Sequence, residues 1–110
     1  MKTISPMELN EKIKKNEDVL ILDVRSAEKY ESYNINEQNV TSLNIEKTTI
    51  FSLNDNNMDQ ISSLPKNKEL IITCTTGNSA RKCAEILSEK NYNVMLLEGG
   101  ITAWKEFKSN

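Results

Sequence analysis

The chain has 110 residues, 37% of them hydrophobic and 27% charged, with a net charge of −2 from 14 basic and 16 acidic residues. That size suits one globular domain over residues 1–110, with a core that needs no disulfide staples. The balance argues against nucleic acid, which needs a basic excess, and no apolar run approaches the roughly 20 residues of a membrane span.

Met1 to Asn10 lacks the apolar centre of a signal peptide, so a cytoplasmic location is expected. Ser5-Pro6-Met7-Glu8 then opens the first helix. Ser5 can cap it, Pro6 suits the first helical position, and Glu8 can complete a capping box. Leu9 and Ile13 supply its apolar stripe. Val19-Leu20-Ile21-Leu22 is an unbroken apolar run ending at Asp23 and predicts a buried strand. Ser26 caps a short helix whose inner face is expected to carry Ala27, Tyr30 and Tyr33.

The stretch from Asn34 to Lys68 is rich in Asn, Ser and Thr and has weak periodicity. Leu43 and Ile45 suggest a short strand. Met58, Ile61 and Leu64 suggest a short helix, stopped by Pro65. Glu69 to Thr73 reads as a second buried strand, with Cys74 at its C-terminal end and a tight turn over Thr75-Thr76-Gly77-Asn78. Ala80, Cys83, Ala84 and Leu87 then form the apolar stripe of a strong helix, with Arg81 and Glu85 placed to pair on its outer side. Val94 to Leu97 is the last strand. Gly99-Gly100 ends it, and Ile101, Trp104 and Phe107 mark a terminal amphipathic helix. Strands alternating with helices predict an α/β fold with a largely parallel sheet.

Chemistry centres on Cys74. The chain holds two cysteines and no histidine, so a disulfide scaffold, a Cys-His pair, a Ser-His-Asp triad and a histidine metal site are all ruled out. Ligands of open α/β sheets bind beyond the carboxyl ends of strands, where Cys74 sits. The helix that follows offers unpaired N–H groups and a partial positive charge, which stabilise a thiolate or a bound anion. Gly77 permits a curled loop that aims several N–H groups at one point. A small buried hydrophobe is the alternative role for such a cysteine.

Three segments resemble the rhodanese-like sulfurtransferases: Leu22-Asp23-Val24-Arg25 with Glu28 and Tyr30, Ile71-Ile72-Thr73-Cys74-Thr75-Thr76-Gly77-Asn78, and Leu97-Glu98-Gly99-Gly100-Ile101-Thr102-Ala103-Trp104. The resemblance implies a central parallel five-stranded sheet flanked by helices on both faces, and no metal or organic cofactor. It implies that Cys74 takes a sulfane sulfur from a small donor such as thiosulfate or a persulfide. The sulfur then passes to a thiol or protein acceptor. Thr75, Thr76, Gly77, Asn78 and Ser79 would form the substrate cradle. Separately, a monomer or weak dimer is expected.

The sequence also departs from that family. Its loops often carry Arg directly after the cysteine and Arg or Thr five positions on, where Thr75 and Ser79 stand here. Tyr33-Asn34-Ile35 replaces a Gly-His-Ile segment. The uncharged loop predicts weaker use of doubly charged thiosulfate. Arg81 reads as a solvated helix residue, with steering of anionic donors as its alternative role. Cys83 reads as core packing, with a resolving thiol as the alternative. Asp23 and Arg25 read as a structural pair at a strand end. Two other functions are weighed against sulfur transfer: a non-catalytic binding or regulatory module, and a cysteine phosphatase or arsenate reductase. The second wants an arginine where Ser79 stands.

Overall fold

The computed structural model describes residues 1–110. Five strands form one parallel sheet: β1 (Thr3–Ile4), β2 (Val19–Asp23), β3 (Val40–Asn44), β4 (Leu70–Thr73) and β5 (Val94–Leu97), in the spatial order β1-β5-β4-β2-β3. Five α-helices accompany them: α1 (Pro6–Lys14), α2 (Ala27–Ser32), α3 (Lys47–Phe51), α4 (Asn78–Glu89) and α5 (Gly100–Lys108), with a 3-10 helix at Met58–Ile61.

Strand alternation divides the core into two layers. Val19, Ile21, Ile71 and Leu97 face α1 and α5, where they meet Leu9, Ile13, Ile101 and Trp104. Leu22, Leu70, Ile72 and Leu96 face the other way, toward Ile50 of α3 and Ala80, Cys83, Ala84 and Leu87 of α4. Both faces of the sheet are covered, which is why its inner strands read as continuous apolar runs. No helix is long and apolar enough to cross a membrane.

The first helix forms as its sequence dictates. Glu8 N–H donates to Ser5 Oγ at 3.1 Å, and Ser5 N–H donates to Glu8 Oε1 at 2.9 Å. That backbone hydrogen bond lowers the Glu8 carboxyl below its ordinary value. Other expectations need correction. No buried residue lies on α2, so Ala27 and Tyr30 do not form an inner face there. Tyr30 instead lies half-buried and donates its hydroxyl to Ser42 O at 2.9 Å. Arg81 and Glu85 form none of the four ion pairs. The strand expected at Leu43 and Ile45 starts earlier, at Val40.

The sheet order sets the location of the site. From β2 the chain moves outward to β3, and from β4 it moves the opposite way to β5. A crevice therefore opens between the carboxyl ends of β2 and β4, which are neighbours. Asp23 and Arg25 brace its β2 side. Asp23 is 1% exposed and accepts from the Arg25 backbone N–H at 3.0 Å and from Arg25 Nη2 at 2.6 Å. Arg25 Nη2 also donates to Tyr33 O at 2.6 Å. Removing one partner strands the other charge in a dry site. Asp23→Ala should therefore lower stability by about 3 kcal/mol, read from urea unfolding. A loss under about 1 kcal/mol would mean that the turn is held without the pair.

Candidate active site

Cys74 follows the last residue of β4 and lies 6% exposed at the edge of the core. Its Sγ accepts two backbone hydrogen bonds, from Gly77 N at 3.1 Å and from Ala80 N at 3.3 Å. The chain must reverse within three residues to bring the Gly77 N–H back to the sulfur. Gly77 does this at φ +108°, a conformation that side chains rarely adopt. Ala80 N–H belongs to the first turn of α4, one of the donors that a helix leaves without an internal partner.

The outer side of the loop is held by α5. Ile101 N donates to Cys74 O at 2.8 Å, and Thr102 N donates to Thr75 O at 2.9 Å. This close approach depends on Gly100, at φ +63°. A Cβ there would lie 2.5 Å from Cys74 O and 2.7 Å from Thr75 O. The Gly-Gly pair thus has a second function beyond ending β5: it lets α5 start directly against the loop carbonyls.

A cavity of about 380 Å³ opens over the cysteine. Each of the three neighbouring strand ends contributes to it. Val24, Arg25 and Ser26 follow β2, and Glu46, Lys47 and Thr48 follow β3. After β4 come Cys74, Thr75, Thr76, Asn78 and Ser79. Gly77 stands behind these as a donor to the sulfur. Arg81 is exposed on α4 and lies outside the lining. Its place as a local cation is taken by Lys29 and Lys47. Sequence reasoning passed over both, because they come from segments remote from the cysteine.

This geometry has the features of a site for sulfur or oxyanion chemistry, and similarity to known proteins decides between fold families. A family profile described as "Rhodanese-like domain" matches residues 5–107. The chain belongs to the rhodanese-like domain family. It is 27% identical over 105 residues to "Putative sulfurtransferase YtwF" of Bacillus subtilis, covering 96% of this chain and 91% of that protein. It is 31% identical over 109 residues to a tRNA uridine(34) hydroxylase of Bdellovibrio bacteriovorus, covering 97% of this chain but spanning only 29% of that protein. Among solved structures, a rhodanese-like domain protein from Staphylococcus aureus superposes with a TM-score of 0.79 at 30% identity, over 94% of this chain and 91% of that one. The five-stranded parallel sheet with helices on both faces is the rhodanese-like fold.

The two thiols of this rhodanese-like domain lie in one apolar cluster and differ in their surroundings. Cys83 is 0% exposed, and its thiol is pushed up to about 12, chiefly by burial and next by the nearby Cys74, with Lys47 pulling the other way. A raised thiol pKa favours the folded state below the ordinary value of 9.0, and that contribution fades as pH climbs toward 12. Cys83 should therefore resist iodoacetamide in the folded protein at pH 9 and react once urea unfolds it. Peptide mapping reads the outcome, and native labelling of Cys83 would contradict its buried, protonated state.

Gly100→Ala tests the seating of the loop. Positive φ and the clash with two carbonyl oxygens should together lower stability by about 2 kcal/mol or more in urea unfolding. An unperturbed variant would show that α5 can back away without cost.

Proposed function

We propose that this rhodanese-like domain is a sulfurtransferase that carries sulfane sulfur as a persulfide on Cys74. The observation that carries the reading is the pair of backbone N–H groups on Cys74 Sγ, at 3.1 and 3.3 Å, beneath an open cavity. Fixed N–H donors and the N-terminal end of α4 face the sulfur there, in a chain with no histidine. The Thr75 and Thr76 N–H groups donate to no protein acceptor. They remain available to a terminal sulfur or a bound anion.

The chemistry balances without a cofactor. The Cys74 thiolate attacks the outer sulfur of a donor R–S–S⁻ or of thiosulfate. The new S–S bond forms as the donor's own S–S bond breaks, and RS⁻ or sulfite departs with the bonding electrons. An acceptor thiolate then attacks the terminal sulfur and releases Cys74 as thiolate. Thr75, Thr76, Gly77, Asn78 and Ser79 cradle the reactants, and the acceptor is a small thiol or a thiol on another protein. The work needs one chain, as a monomer or weak dimer.

Phosphatase or arsenate reductase chemistry is less well supported. Ser79 lines the cavity where a clamping arginine would be wanted. Arg25, the one guanidinium in the lining, is already held by Asp23.

Incubation with a sulfane-sulfur donor followed by intact mass measurement under non-reducing conditions tests the reading. The wild type should gain one sulfur, and Cys74→Ala should gain none. If the wild type stays unmodified by every donor, the cysteine is inert and a binding module becomes the better description.

A further inference from the structure

The loop from Cys74 to Ser79 has no charged side chain, so charge that selects a reactant must come from outside it. Lys47 and Lys29 bring that charge to the cavity. Neither belongs to any of the four ion pairs. The other lining cation, Arg25, is neutralised by Asp23. Glu46 is the single carboxylate in the lining. Two unpaired ammonium groups thus face one carboxylate, in a protein whose net charge is −2. A cleft that concentrates the minority charge focuses its field on incoming anions.

Lys47 is the better fixed of the two. Its own N–H donates to Val24 O at 3.0 Å, and the Val24 N–H donates to Thr73 O at 2.9 Å. Two backbone hydrogen bonds therefore tie Lys47 to the residue before the cysteine. Asn44 Nδ2 stitches the same segment down, donating to Asp23 O at 3.0 Å and Arg25 O at 2.9 Å. Three residues beyond Lys47, Ile50 is fully buried in the cluster that holds Cys74 and Cys83. From this anchored backbone, Lys47 Nζ reaches Ser79 Oγ at 3.4 Å. An ammonium from α3 thus stands over the last residue of the uncharged loop.

We propose that Lys47 is a specificity residue that selects sulfur donors bearing an anionic oxygen group close to the transferable sulfur, with Lys29 reinforcing it. The assignment rests on the sulfurtransferase reading. It also corrects the view that an uncharged loop makes an uncharged site. The sulfonate of thiosulfate and the carboxylate of a thiol-acid persulfide share the required chemistry.

The test holds the transfer step constant and varies only donor charge. Persulfides of 3-mercaptopropionate, 2-mercaptoethanol and cysteamine supply anionic, neutral and cationic donors, and thiosulfate supplies the sulfonate. Persulfide formation on Cys74 is followed by mass, and the readout is the ratio of kcat/KM for an anionic donor to that for the neutral one. The ratio separates anion selection from any general effect of Lys47 on the thiolate, which acts on all donors alike. The wild type should prefer anionic to neutral to cationic persulfides. K47Q should cut the ratio about tenfold, the scale of one charge-assisted hydrogen bond, K47E should invert the preference, and K47R should retain it. A response confined to thiosulfate identifies a sulfonate as the selected group, and one confined to the thiol-acid persulfide identifies a carboxylate. A ratio unchanged in K47Q overturns the proposal while leaving sulfur transfer intact. A wild type that forms no persulfide with any donor overturns the underlying reading and the proposal with it.

Discussion

Two hydrogen bonds at the start of α5 fix the conformation on which the rest of the site depends. Ile101 and Thr102 hold the carbonyls of Cys74 and Thr75 at 2.8 and 2.9 Å. A trans peptide places its N–H opposite its C=O. Drawing those two carbonyls toward α5 therefore turns the N–H groups of Thr75 and Thr76 away from it. The backbone beside Cys74 is thus set from behind, by the first turn of α5. Gly100 is the condition for this, since any side chain there would occupy the space of the two carbonyl oxygens. Trp104 and Ile101, buried against the sheet, keep α5 in position to donate.

The same cluster holds two cysteines in contrasting surroundings. Cys74 and Cys83 share apolar neighbours. Cys74 Sγ receives two N–H groups and opens to a cavity. Cys83 lies wholly inside, where burial raises its thiol to about 12. Apolar burial alone disfavours the charged form of a thiol, as at Cys83. The backbone and the first turn of α4 aim N–H dipoles at Cys74 Sγ and none at Cys83.

The features that were legible in the sequence are local ones. The capping box at Ser5 and Glu8, the apolar runs of β2, β4 and β5, and the stripe Ala80, Cys83, Ala84, Leu87 each carry their own period or cap. The loop residues around Cys74 were legible because they adjoin it. Other elements have no such signal. The strand β1 is two residues long, too short to show alternation. The helix α3 contains Thr48, Thr49 and Ile50, which are β-branched and poor helix formers. It is formed by packing against α4 through Ile50, a tertiary cause that leaves no local trace. That is why Lys47 was missed while Arg81, nearer in sequence, was put forward: parallel strands bring to one crevice residues that lie far apart along the chain.

This division of origin has a consequence for how the site can change. The groups that meet the sulfur are backbone N–H donors, which a side-chain substitution alters only if it distorts the loop. The free cations of the cavity lining are instead the side chains of Lys29 on α2 and Lys47 on α3, and α3 is tied to the end of β2 by the bond from Lys47 N to Val24 O. Substitution at Lys29 or Lys47 therefore alters the charge of the cavity and removes neither of the bonds at Cys74 Sγ. A loop arginine would join the two functions, because its guanidinium would both shape the loop and bind the anion. Cations on neighbouring strand ends separate them, so the charge of the cavity can vary while the N–H geometry at Cys74 stays fixed.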